Sequence, residues 1–227
     1  SVQPMVRFIE KTPVVDGGGL KNTLENKAPA FLDEKLGDYL AEKGRKVFVA
    51  LGVDRWGLSK SFVEAGYEVV FGDLMFALDI PLAIKSLDGL RLLAKLMIPI
   101  VTRFPFEWLY PTGDKQDERV PKYEKYYQWA TVIAGDCHYI KSHMPDDMQG
   151  KVIVTNTTTP ADVELFKSLG VKYLITTTPV LDGRSFGTNM MEAALVAVSG
   201  KERPLTWEEY DEILEKLDFE PQIQELN

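Results

Sequence analysis

Residues 151–179 read KVIVTNTTTPADVELFKSLGVKYLITTTP. Two runs in it, Lys151 to Thr155 (KVIVT) and Lys172 to Thr176 (KYLIT), are short and rich in β-branched residues. Apolar side chains on both faces mark strands buried on both sides. Between them, Ala161 to Leu169 has the length and period of one helix, and Gly170 stops it. Strands separated by a single helix cannot be hairpin partners. They pair in parallel through a right-handed crossover. This stretch therefore predicts a βαβ unit.

The pattern extends in both directions. Upstream, Lys46 to Leu51 (KVFVAL), Tyr67 to Phe71 and Thr131 to Ala134 read as strands. Ser59 to Ala65, Pro81 to Leu96 and Lys122 to Trp129 read as helices. Thr12 to Asp16 is expected to be a further short strand. Gly17, Gly18 and Gly19 follow it, then a helical stretch from Leu20 to Lys43 that Pro29 interrupts. Downstream, a helix runs from Asn189 to Val198 and closes at Gly200. Thr206 and Glu209 form a capping box for a last helix reaching Leu217. Pro99 to Pro121 carries prolines, a glycine and aromatics and reads as an irregular insertion. The fold class is α/β, a doubly wound, mostly parallel, Rossmann-like sheet. Residues 1–45 are expected to form an N-terminal βα segment, the remnant of a second domain. Residues 46–200 would be the Rossmann-like domain, and 201–227 a C-terminal helix packing back.

Composition narrows the function. A chain of 227 residues with a net charge of −8 and no long basic block is a poor partner for nucleic acid or an anionic membrane. Its one cysteine, Cys137, forms no intramolecular disulfide, which suits a cytoplasmic protein. Two histidines, His138 and His143, exclude a histidine-rich metal site though not a carboxylate-based one, and no metal-ligating residue is singled out. The most apolar stretch, Leu90 to Val101, is broken by Arg91, Lys95 and Pro99, so it reads as a buried helix rather than a membrane span.

In an open parallel sheet, ligands bind beyond the C-terminal ends of the strands. Five such ends carry small and polar residues. The first is Gly52-Val-Asp-Arg-Trp-Gly57, with Asp73 placed 21 positions after Gly52. That spacing suits a dinucleotide unit, with Gly52, Asp54 and Gly57 at the pyrophosphate and Asp73 on the ribose. The glycines follow G-x-x-x-x-G rather than G-x-G-x-x-G, and no P-loop Lys-Ser/Thr follows. The same layout fits a methyl transferase using S-adenosylmethionine, and it also fits a plain turn in which Asp73 is a cap. The second is the pair of threonine-rich ends, Thr157 and Thr158 beside Thr177 and Thr178. They form either a polar wall, with Thr157 and Thr158 on the nicotinamide side of a cofactor and Thr177 and Thr178 toward substrate or an anion, or simply strands and caps. The third is the loop Asp182 to Asn189, where Arg184, Gly187 and Asn189 would cradle an anion. For Arg184 the alternative is a surface salt bridge. The fourth is Gly135-Asp136-Cys137-His138. Neighbours on an extended chain point to opposite sides, which leaves Cys137 buried and inert and makes Asp136 or His138 a proton carrier. The fifth is Asp16-Gly-Gly-Gly-Leu-Lys21, where the glycines let backbone approach a ligand near Lys21.

Three of these stretches carry a family resemblance: TPVVDGGGLKNTLE (Thr12 to Glu25), VALGVDRWGLSKSFVEAGYEVVFGD (Val49 to Asp73) and TTTPVLDGRSFGTNMMEA (Thr176 to Ala193). They resemble bacterial proteins labelled quinate 5-dehydrogenase, across nearly the whole chain. Members of that group carry a further N-terminal segment. The resemblance implies NAD- or NADP-linked oxidation of a cyclic polyol acid. It also implies a catalytic lysine and aspartate, for which Lys21 and Asp16 are the nearest matches. The expected function is thus an NAD(P)-linked oxidoreductase acting on a small polyol or carboxylic acid. Lys21, Asp136 and His138 are its candidate catalytic residues, with substrate also near Arg184. The alternatives are the methyl transferase and a non-catalytic nucleotide- or carboxylate-binding protein. In each reading the partner is a small molecule, and a homo-oligomer is left open.

Overall fold

A computed structural model describes residues 12–101 and 119–227. Helices α1 (Gly18–Asn26) and α2 (Ala28–Lys43) lead into strand β1 (Lys46–Val49), helix α3 (Trp56–Glu64) and strand β2 (Glu68–Phe71). Helices α4 (Asp73–Leu78), α5 (Leu87–Val101) and α6 (Glu124–Trp129) precede β3 (Val132–Ala134) and α7 (Cys137–His143). Then β4 (Val152–Thr155), α8 (Pro160–Ser168) and β5 (Tyr173–Thr176) form the βαβ unit read from the sequence. A small hairpin of β6 (Val180–Leu181) and β7 (Arg184–Ser185), helices α9 (Thr188–Ser199) and α10 (Trp207–Lys216), and strand β8 (Gln222–Glu225) follow.

The main sheet has the order β2-β1-β3-β4-β5-β8. Its first five strands are parallel, as the single-helix crossovers require, and β8 runs antiparallel on β5 with Ile175 opposite Ile223. Alternation along each strand divides the core. Val47, Val49, Val69, Val132 and Val152 pack under α2, α3 and Leu90 of α5. Phe48, Val70, Ile133, Ile153 and Leu174 face α6, α7 and α8 on the other side. A third cluster joins α1 to α9 and α10 through Leu20, Leu24, Leu195, Tyr210 and Leu214.

Several expectations need correction. Residues 12–16 form no strand; the chain there is irregular and runs into the Gly17 cap of α1. The helical stretch breaks at Lys27, not Pro29, because proline is accommodated in the first turn of α2, where its missing N–H costs nothing. The helix expected from Pro81 begins only at Leu87, since Ile84 instead pairs with Phe71 at the rim of β2. Helix α5 continues through Pro99 to Val101, so that proline lies in a helix. The rest of the expected insertion, 102–118, lies outside the described residues. Nor is α5 a wholly buried helix: Leu90 is buried while Leu92 and Leu96 are exposed. The C-terminal segment is a helix followed by β8, a strand with one apolar residue, Ile223. Cys137 and His138 do not end a strand. They open α7, capped by the Asp136 side chain on the His138 N–H, so the argument from extended-chain directions does not apply. No described helix is long and apolar enough to cross a membrane.

Candidate functional site

The strand order reverses between β1 and β3, so the crevice of an open α/β sheet is expected just beyond their C-terminal ends. Arg55, in the loop after β1, spans this switch point and donates to Asp136, which follows β3, at 2.7 Å. The same guanidinium donates to Glu25 of α1 at 2.8 Å and, at 3.3 Å, to Asn156 after β4. Arg55 is 4% exposed and Glu25 is 2% exposed. Burial alone would lower the Arg55 pKa, but Glu25 and Asp136 beside it more than offset this and hold the cation firmly charged. Burial pushes the Glu25 carboxyl up from its ordinary range, against the pull of Arg55, Lys21 and the Leu58 N–H.

Next to this network lies a cleft of about 440 Å³. One wall is the start of α1, with Asp16, Gly17, Gly18 and Lys21; the opposite wall is the start of α9, with Gly187, Thr188 and Asn189. Arg55, Asn156 and Thr157 line the rest. Two helix N-termini, neither carrying an acidic residue in its first turn, thus meet at one cavity. Their approach depends on Gly17. Its φ is +88°, and a Cβ there would sit 2.9 Å from the Asn189 nitrogen. Glu192 of α9 locks the contact by accepting from the Gly17 N–H at 2.6 Å and from the Tyr210 hydroxyl at 2.7 Å.

The donors at this cleft differ in how far they are used. Lys21 is held by the Asp54 carbonyl and carboxylate, at 2.7 and 3.0 Å. The Gly18 N–H is taken by Asp16. The first two N–H groups of α9, on Thr188 and Asn189, have no hydrogen-bond partner among the described residues. The hydroxyl of Thr188, a residue nine-tenths buried, makes no hydrogen bond among the described residues, and neither does the buried Arg55 Nε, which lies 3.5 Å from the Asp54 carboxylate. The buried Thr188 hydroxyl and the two N–H groups at the start of α9 are donors in want of an acceptor.

Of the residues singled out from sequence, Lys21, Thr157, Gly187 and Asn189 come together at the cleft, with Asp54 at its edge through Lys21 and Asp136 behind it through Arg55. Others lie elsewhere. Asp73 is buried, and its two carboxylate oxygens accept from the Gly52 and Val53 N–H groups, each at 2.8 Å. It clasps the β1–α3 loop, its carboxylate turned to the loop backbone. Gly52 is a packing glycine, since a Cβ would meet Phe71 at 2.7 Å. Gly57 gives room to α1, with a Cβ 3.0 Å from the Asn22 Cα. The Thr158 N–H donates to the Ser185 hydroxyl, the Thr178 hydroxyl to the Asn156 carbonyl, and the Thr177 N–H to the Thr155 carbonyl. All three threonines are buried in holding strand ends together. Arg184 is exposed on the β6–β7 hairpin, and the arginine of the cleft is Arg55. His138 is half-buried on α7, with its Nε2 unpartnered among the described residues. Cys137 is buried, which pushes its thiol far up.

At the β1–α3 turn, where an NAD(P) pyrophosphate was expected, carboxylates of the chain itself take several of the backbone donors. The Leu58 N–H, in the first turn of α3, donates to Glu25 at 3.3 Å, and the Gly52 and Val53 N–H groups are engaged by Asp73. Three of the groups a phosphate could use are thus bonded to carboxylates of the chain itself.

Residues 19–226 match the model of a family described as a domain of unknown function, DUF8754. The chain belongs to that family. No curated protein and no solved structure matches it.

Proposed function

We propose that the chain binds a small hydroxylated carboxylic acid in the cleft between α1 and α9. One observation carries this reading. The free Thr188 and Asn189 N–H groups and the buried Thr188 hydroxyl converge at a helix N-terminus, where a carboxylate is favoured by both hydrogen bonding and the helix dipole. The acceptors around them suit hydroxyl groups. Asp16 and Asn156 lie on the same walls, and Thr157 beside them both donates and accepts. A ligand with a carboxylate at one end and hydroxyls at the other satisfies both sets. The resemblance to proteins labelled quinate 5-dehydrogenase supports the same chemical class.

Calorimetric titration tests this with quinate and malate as hydroxy acids and inositol as a polyol without a carboxylate. The acids bind and inositol does not. Thr188→Val, which removes the hydroxyl and preserves the shape, weakens the acids about tenfold, the equivalent of one hydrogen bond to a charged group. Equal binding of inositol and quinate, or an unaffected Thr188→Val variant, overturns the reading.

A further inference from the structure

A parallel βαβ unit whose second strand ends in an acidic residue offers a phosphate seat at the N-terminus of its helix. In this chain that helix is α3, with nine residues and Arg55 as its N-cap. The seat is approached by α1, which crosses so closely that Gly57 packs against the Asn22 backbone. One turn further along α1, Glu25 reaches the Leu58 N–H with one oxygen and Arg55 with the other. A carboxylate on an N–H group of the first helical turn, paired with a guanidinium, reproduces the contacts a bound phosphate would make.

We infer that Glu25 is an internal substitute for a ligand phosphate, closing the β1–α3 turn to dinucleotides and positioning Arg55 for the neighbouring cleft. Two consequences follow from the geometry. Three N–H groups at this turn, on Gly52, Val53 and Leu58, are bonded to side chains of Asp73 and Glu25, and the Glu25 carboxylate lies over the first turn of α3 where a phosphate would rest. Arg55 is held from behind by Glu25 and from the side by Asp136, with its Nε 3.5 Å from the Asp54 carboxylate, so the guanidinium stands in a fixed position at the cleft. Glu25 is a positioning residue, acting on the cleft only through Arg55. The inference does not depend on what the cleft binds.

The test uses the full chain and two probes, inorganic pyrophosphate followed by calorimetry and NADPH followed by fluorescence. The wild-type chain shows no saturable binding of either up to about 1 mM. Glu25→Ala vacates the seat and leaves Arg55 with a free donor, so pyrophosphate binds at least about tenfold more tightly than to wild type and raises the Tm. Adding Arg55→Met abolishes that gain. Glu25→Gln preserves the shape and removes only the charge. It gives a smaller gain in the same direction and serves if the alanine variant does not fold. Saturable binding of NADPH or pyrophosphate by the wild-type chain overturns the inference, as does a folded Glu25 variant that gains no pyrophosphate affinity. Failure of hydroxy acids to bind the cleft leaves these outcomes unchanged, so the two readings fail separately.

Discussion

Replacing Arg55 by methionine removes the cation from a site where Glu25 is 2% exposed and keeps most of the side-chain volume. Breaking a buried pair by deleting one partner costs about 3–5 kcal/mol, because the remaining charge is stranded. Asp136 adds little: its side chain is 38% exposed, and water screens what the guanidinium supplied, at most about 1 kcal/mol. In a chain of this length each kcal/mol moves the Tm by about 2–4 °C, so the expected fall is roughly 6–20 °C at pH 7. The pH dependence has a definite sign. The Glu25 pKa is already raised by burial in the folded protein, and losing Arg55 raises it further. A carboxyl with a raised folded pKa contributes stability that is fully present below its unfolded value, near 4.5, and is lost as pH rises through the folded value. The deficit of Arg55→Met is therefore largest at neutral pH and shrinks on acidification towards pH 4.5. Adding Glu25→Leu removes the stranded carboxyl and recovers most of the loss. Urea denaturation of wild type and the two variants at pH 5 and pH 7 measures all of this. A single variant within about 1 kcal/mol of wild type at pH 7, or a double variant no more stable than the single, refutes the reasoning.

Four other outcomes are expected. Gly17→Ala places a Cβ 2.9 Å from the Asn189 nitrogen at a φ of +88°, and thermal denaturation shows a loss of about 1–3 kcal/mol together with weaker hydroxy-acid binding. Tyr210→Phe leaves the buried Glu192 oxygen without its hydroxyl donor, costing about 1–3 kcal/mol in urea denaturation. Burial raises the Cys137 thiol pKa, so native alkylation at pH 8 is far slower than in denaturant, and Cys137→Ser retains ligand binding. At Asp162, burial is outweighed by the Thr159 N–H and hydroxyl and by Lys141, so its pKa is lowered. Its stabilisation is present above pH 3.8 and is lost as pH falls through the folded value, and Asp162→Asn flattens that acid limb in a pH-dependent melt.

The five parallel strands were legible because each is a short apolar run followed by a glycine or a threonine-rich turn, and burial on both faces leaves that mark. Strand β8 left none. With Ile223 its one apolar residue, QIQE looks like solvent-facing chain, and only pairing to β5 makes it a strand. Part of the cleft was legible too: the glycines before α1, Lys21, and the Gly187–Asn189 helix start. The ion pair behind it was not. Glu25 and Arg55 lie 30 positions apart on different elements, and nothing local in either segment announces that both are buried. An arginine inside the loop after β1, where small residues prevail, was the available clue. Asp73 shows the opposite difficulty. Its spacing from Gly52 suited a ribose ligand, yet spacing cannot tell whether a carboxylate turns outward to a ligand or inward to the loop it follows.

The meeting of Gly17 with Asn189 is backbone against backbone, fixed from behind by Glu192. Side chains can change rotamer in nanoseconds, but two packed helix ends move only together with their helices. A ligand of the proposed kind would then meet a gap that is already formed. Binding there loses little chain entropy to ordering, and affinity is set by the contacts rather than by a closing motion. Association in the proposed reading is accordingly expected in a single fast step, with free and bound backbones superimposing closely, as in lock-and-key recognition.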